Sequence, residues 1–155
     1  MSNLVSPTLQ CRLINFILVL LKKGDFMTVK LQLYKCNICN NIAQILHEGE
    51  GELVCCGQVM ELLDAKNKDQ MAEKHVPKFL ANEQGDFIQV GEILHPMLEE
   101  HHIEFIQAIS PDKTYMITKF LKPNEEPKMV INKSDNVNKA YEYCNIHGLW
   151  EGERD

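Results

Sequence analysis

Apolar residues arrive in short bursts over the later part of the chain: "FIQVGEIL" (87–94), "IEFIQAI" (103–109), "TYMITKFL" (114–121), "KMVIN" (128–132) and "KAYEYCN" (139–145). None is long enough for an ordinary helix, and the stretches around them, "NEQGD", "SPDK" and "KPNEEP", carry the Gly, Pro, Asn and Asp of turns. Short strands at this spacing predict an antiparallel β-sandwich. Upstream, V-K-L-Q-L-Y (29–34) alternates as a half-buried strand does and runs straight into "CNIC". After "HEGEGE" the same design returns in "LVCCGQVM" (53–60), a short apolar strand entering a Cys pair and a glycine. The polar segment "DAKNKDQMAEK" (64–74) separates the two regions and is expected as a linker. The chain therefore reads as mainly β, with a small domain over 27–63, a linker over 64–74 and a sandwich domain over 75–155.

Residues 1–26 stand apart. "LINFILVLL" (13–21) is apolar for nine residues, too short to span a bilayer. An export signal would place its positive charge ahead of that run and small residues behind it, whereas Lys22 and Lys23 follow and no A-x-A-like site exists. The expectation is that the functional chain starts at Met27, because "KKGDFM" can be encoded by a purine-rich stretch resembling a ribosome-binding site, leaving 1–26 as a non-functional or disordered extension.

Composition narrows the function. Hydrophobic residues make up 45% and charged residues 25% of the chain, as in a globular protein. A net charge of -6 without any basic cluster argues against nucleic acid as a partner, since phosphate neutralisation needs grouped Lys and Arg. No membrane partner is expected. The six cysteines are unevenly spread: Cys36, Cys39, Cys55 and Cys56 crowd one segment, while Cys144 stands near the end. Such clustering points to metal binding in a reducing cytoplasm rather than to a disulfide framework.

Cys36 and Cys39 have the C-x-x-C spacing that lets a tight turn aim two sulfurs at one ion, with backbone N–H groups free to bond the thiolates. Fifteen residues later Cys55 and Cys56 are adjacent, so completing a tetrahedron requires a sharper backbone bend than a second C-x-x-C. A unit this small cannot be held by core burial alone, and a metal supplies the missing stability. Composition leaves zinc and iron evenly matched there.

The second constellation is His75 in "EKHVP", His95 and His101 in "LHPMLEEHHIEF", and Cys144 and His147 in "YCNIHGLW". Any one of these histidines alone is an ordinary core or surface residue. Of the neighbours His101 and His102, extended alternation puts His101 on the face of Ile103 and Phe105 and His102 with Glu104, so His101 is taken as the ligand. Structural zinc prefers four donors; five N/S donors point to a redox metal with one open position. A thiolate opposite that position pushes electron density toward whatever binds there.

With "YKCNIC", "ELVCCG", "EKHVP", "HPM" followed by His101, "TKFLKP" and "YCNIHGLW", the chain closely resembles desulfoferrodoxin, the two-iron superoxide reductase family, from about Lys30 to Trp150. The resemblance implies a desulforedoxin-like domain with an Fe(Cys)4 centre on Cys36, Cys39, Cys55 and Cys56. It further implies an immunoglobulin-like β-sandwich resembling neelaredoxin, with a catalytic iron on His75, His95, His101, Cys144 and His147. It implies one-electron reduction of superoxide to hydrogen peroxide, electrons from a rubredoxin-like donor, and a homodimer. Glu73 and Lys74 match the family's E-K-H motif: Lys74 is expected to attract superoxide and order water near the open position, and Glu73 to occupy that position on the oxidised metal. His102 and Phe105 stand where relatives often carry larger aromatics. Two rival readings are a zinc-stapled binding or regulatory module, and dismutation of superoxide.

Overall fold

The structure, a computed structural model, describes residues 27–68, 71–83 and 85–154; the readings made on residues 1–26 lie outside them. Contacts divide the chain into two compact units, the boundary falling between Leu63 and Asp64.

The first unit is built from very short strands: β1 (Met27–Thr28), β2 (Leu33–Lys35), β3 (Ile42–Gln44), β4 (Gly49–Glu50), β5 (Val54–Cys55), β6 (Gln58–Val59) and β7 (Glu61–Leu62). They pair as β1 with β4, β2 between β3 and β7, and β5 with β6. Among the described residues, Leu33, Cys36, Ile45 and Met60 are its buried apolar residues, while Leu46, Val54 and Val59 remain exposed. With so few buried apolar side chains among them, a metal on the four sulfurs described below would tie these strands together.

The second unit opens with one helical turn, α1 (Ala72–His75), followed by β8 (Pro77–Asn82), β9 (Gly85–Val90), β10 (Ile103–Ile109), β11 (Met116–Phe120), β12 (Lys128–Ile131), β13 (Lys139–Cys144) and β14 (Gly148–Glu153). All pairings are antiparallel, and they make two sheets ordered β11-β10-β13-β14 and β12-β9-β8. Between the sheets lies one core of Ile88, Val90, Met97, Ile103, Ile106, Ala108, Leu121, Met129, Ile131, Val137, Ala140 and Cys144. Cys144 is thus both a core residue and a potential ligand, which anchors the site in the close-packed interior of the sandwich. Part of the segment expected as a linker is folded into this unit: Lys66 forms a parallel bridge with Trp150, and α1 includes Ala72–His75.

Expected strands are present at 103–109, 114–121, 128–132 and 139–145, trimmed by a residue or two at their ends, but the strand expected over 87–94 ends at Val90. Gly91 turns the chain there with φ +79°, and a Cβ on it would sit 2.7 Å from the Lys74 carbonyl carbon, so only glycine allows the backbone ahead of His75 to come this close. Strands β8 and β14 escape the hydrophobic pattern, since "PKFLAN" opens on proline and "GLWEGE" contains two glycines. Each is the outer strand of its sheet, where proline at the first position removes no ladder bond that is needed.

These two outer strands meet at Gly152, where an added Cβ would run into the Pro77 carbonyl. Gly152→Ala is therefore expected to destabilise the protein by about 1–3 kcal/mol, through forced separation of β14 from β8. Denaturant unfolding compared with wild type measures it, and an unchanged midpoint would rule out this close approach.

Candidate metal centres

Local backbone chemistry brings the four early cysteines together. After β2, Asn40 donates its N–H to the Cys36 carbonyl at 2.9 Å and adopts φ +60°, making the tight turn that carries Cys36 and Cys39. The second pair sits on the β5–β6 hairpin, whose two-residue loop Cys56–Gly57 has φ +51° and +77°. Two positive φ values are what a primed hairpin turn requires, and glycine is the easy residue there while cysteine is not. That turn swings the Cys56 sulfur round to the side of Cys55, which answers how adjacent cysteines can serve one ion. The four sulfurs lie within 4.8 Å of one another, with Cys39 and Cys55 at 3.6 Å and Cys55 and Cys56 at 3.9 Å, so no vicinal disulfide joins the last two.

Their acidities diverge. Backbone N–H groups of Cys39 and Ile38 aimed at Cys36 bring its thiol down to about 6. Sharing protons with Cys39, Cys55 and Cys36 drives Cys56 up to about 12. One thiolate is ready-made, and the others need a cation before they can give up their protons.

The later cluster is assembled from four separate segments. His75 ends α1, where the Val76 N–H closes the turn on the Ala72 carbonyl at 2.9 Å. His95 follows the turn at Gly91, and its Nε2 lies 3.6 Å from the Cys144 sulfur. His101 sits in a loop closed by Leu98 and His101, each donating its N–H to the other's carbonyl at 2.9 and 3.2 Å. Cys144 and His147 flank the β13–β14 turn, with His147 Nδ1 at 3.6 Å from the sulfur. Asn145, between them, accepts from the His102 N–H at 3.0 Å and donates its amide to the Glu100 carbonyl at 3.0 Å. That side chain staples the His101 loop to the cysteine turn.

Ring contacts show the arrangement of the imidazoles: His75 to His95 and His95 to His101 at 4.6 Å, His101 to His147 and His147 to His75 at 4.8 Å. Each ring touches two others, so the four form a closed circuit, and their donor atoms with the Cys144 sulfur lie within 4.8 Å of one another. Burial, followed by the neighbouring imidazoles, lowers His75 to about 3 and His95 to about 4, and lowers His101 as well. Near neutral pH these rings carry no proton that a metal must displace. Burial pushes the Cys144 thiol the other way, upward. The donor set fits a cation: His101 Nε2 is buried with no hydrogen-bond partner, a costly state for an imidazole nitrogen unless something else is bonded to it.

Comparison with known proteins agrees with this geometry. Residues 67–153 match the family described as desulfoferrodoxin, and residues 28–63 match desulfoferrodoxin, N-terminal domain. A desulfoferrodoxin homolog from Archaeoglobus fulgidus is 44% identical over 125 residues, covering 81% of this chain and 98% of its own. The desulfoferrodoxin of Syntrophotalea carbinolica is 42% identical over 127 residues, covering 82% of this chain and 99% of its own. The chain belongs to the desulfoferrodoxin family. A superoxide reductase from Pyrococcus abyssi is 37% identical over 105 residues, covering 57% of this chain and 91% of its own. The fold matches the crystal structure of the superoxide reductase from Treponema pallidum with a TM-score of 0.59 at 23% identity, over 80% of this chain and 98% of that one.

The structure brings together all nine residues singled out as ligands, in two candidate metal sites. His102 stays outside: it is half-buried, and its Nδ1 lies 3.1 Å from the Leu98 carbonyl oxygen. The strand alternation used to choose His101 does not itself operate, because β10 begins at Ile103 and its register with β13 shifts between Ile103 and Phe105. Glu73 and Lys74 are exposed on α1, and the Glu73 carbonyl accepts the N–H groups of Glu92 and Ile93 at 2.8 and 3.1 Å. Lys74 is close enough for its charge to help lower His101.

Two residues of the centre escaped the sequence reading. Trp150 is fully buried and stacks on His75 at 4.8 Å and 13°. Glu142, also fully buried, lies 3.0 Å from His75 Nδ1 through Oε1. Burial alone holds the Glu142 carboxyl well above the usual range, a cost that a cation among the rings offsets. With His75 Nδ1–H donating to Glu142, Nε2 is the nitrogen left for a metal. The available clue was spacing: Glu142 is two residues from Cys144 on one strand and so shares its face.

Glu142→Leu is expected to weaken metal binding at the histidine cluster by roughly 10–100-fold, and Glu142→Gln by less. Chelator competition on the full-length protein checks this, and equal affinities for all three would remove Glu142 from the centre.

Proposed function

We propose that the chain reduces superoxide at an iron ion held by His75, His95, His101, His147 and Cys144, and carries a second iron on Cys36, Cys39, Cys55 and Cys56. Family membership and the His4Cys cluster together make it a superoxide reductase. The observation that carries the reading is the closed circuit of imidazoles with a buried sulfur within 3.6 Å of two of them. A structural zinc site uses four donors; a fifth leaves an octahedral ion one position for a small anion.

Iron bound there supplies the single electron that, with two protons, converts superoxide to hydrogen peroxide. The protein's own groups have separate duties. Burial keeps His75, His95 and His101 neutral, so their lone pairs are available without proton release. Cys144 gives up its proton to become a thiolate when a cation arrives, and its place in the sandwich core keeps water from competing for the sulfur. Lys74 supplies local positive charge in a chain whose net charge of -6 repels anions, and orders water that delivers protons. Glu73, next to it, would occupy the open position on the oxidised metal. A rubredoxin-like protein is the expected reductant, and the working form a cytoplasmic homodimer. Among the described residues no helix is long and apolar enough to cross a membrane. The zinc-staple reading leaves the fifth donor without a purpose.

Metal analysis with visible spectra of the oxidised and reduced protein tests this directly. Two iron chromophores are expected; a colourless zinc protein would overturn the reading, and oxygen evolution on adding superoxide would indicate dismutation instead. His75→Ala and Cys144→Ser should each abolish the histidine-centre band while sparing the four-cysteine one, whereas loss of both bands together would deny two independent sites. Lys74→Met is expected to lower the rate constant for superoxide roughly tenfold or more and to flatten its dependence on ionic strength, as read by rapid kinetics across a salt series.

A further inference from the structure

Lys66 lies in the polar segment ahead of α1, yet its backbone is fastened to β14: its N–H donates to the Leu149 carbonyl at 3.0 Å, and its carbonyl accepts the Glu151 N–H at 2.9 Å. So anchored, the side chain has a defined destination. Its ammonium donates to the His147 carbonyl at 3.2 Å and lies 5.5 Å from the centroid of Trp150. Trp150 in turn stacks on His75 at 4.8 Å. One cation therefore touches the backbone of one histidine of the circuit and stands a single ring away from another.

No carboxylate of the described residues forms an ion pair with Lys66. The acidic neighbour Glu151 is held elsewhere, by Lys139 at 2.9 Å and by the Asn67 amide at 3.2 Å. The Lys66 ammonium thus faces the His147 carbonyl and the Trp150 ring with no acidic partner of its own among the described residues.

We infer that Lys66 is a positioning residue of the histidine centre, whose fixed positive charge, seated over Trp150 and on the His147 carbonyl, raises the reduction potential of the metal held there. This rests on the iron reading above. Gaining an electron lowers the charge of the centre by one, so a cation held nearby favours the reduced state, and at the distance of one intervening ring the interaction survives in the effective dielectric of a protein. Lys66 is itself exposed, so mobile ions screen its effect. Lys74 and Lys66 then have different work: the first faces the arriving anion, and the second biases the metal toward its reduced form.

The test is a redox titration of the full-length, iron-loaded protein, followed at the visible bands of both centres, in wild type and in Lys66→Gln, Lys66→Met and Lys66→Arg. Lys66→Gln keeps a donor for the His147 carbonyl and Lys66→Met keeps the stem over Trp150, but both lose the charge. Both are expected to shift the histidine-centre potential downward by a similar amount, Lys66→Arg to stay near wild type, and the four-cysteine centre to stay put in all. The gap between wild type and Lys66→Gln should shrink as ionic strength rises from about 0.01 M to about 1 M. A wild-type potential in Lys66→Met overturns the inference, and so does a shift in Lys66→Met that Lys66→Gln lacks, which would assign the effect to the hydrogen bond. Wild-type protein without iron at the histidine cluster would instead defeat the iron reading, an outcome distinct from either.

Discussion

The buried contact between His75 Nδ1 and Glu142 Oε1, 3.0 Å long, joins the two halves of the sandwich at its working end. His75 comes from α1, which leads into one sheet, and Glu142 from β13 in the middle of the other. Both side chains are excluded from water, so neither can find another partner without opening the core. The other features of the centre are arranged about His75: Trp150 covers one face of its ring, His95 and His147 adjoin it, and through them the circuit closes on His101. An imidazole so confined has one orientation, which is the requirement of a ligand that must present the same nitrogen through many redox cycles.

The two candidate metal sites solve opposite electrostatic problems. In the small unit, partly exposed sulfurs crowd together and shift one another, so that Cys36 is acidified by backbone N–H groups while Cys56 is made a weak acid. Only a cation lets all four lose their protons, which ties the fold of a unit with very little core to metal binding. In the sandwich, Cys144 lies within the buried core, and burial already holds His75, His95 and His101 below the usual imidazole range.

Charge is organised on a finer scale than the whole chain. A net charge of -6 is unfavourable for an enzyme whose substrate is an anion, yet two lysines lie close to the histidine cluster. Lys74 precedes His75 on α1, with its backbone held close by Gly91, and Lys66 reaches the same centre from a segment that sequence alone presents as featureless.

The nine donors were legible in the sequence because their residue types and spacings are chemically unusual, and most strands of the sandwich were legible because alternating and continuous apolar runs of five to eight residues have few other uses. Strands β8 and β14 were not, since outer strands carrying Pro and Gly are recognised by what they pair with rather than by their own pattern. Nor were Glu142, Trp150, Asn145 and Lys66, each an ordinary residue whose meaning lies in a neighbour distant along the chain. The sequence by itself determined which atoms could bind metal and that two centres of different kind were available. Only the tertiary structure decided that four segments converge, that the imidazoles close into a circuit and that burial keeps His75, His95 and His101 neutral, because distance and solvent exclusion are properties of packing and not of spacing.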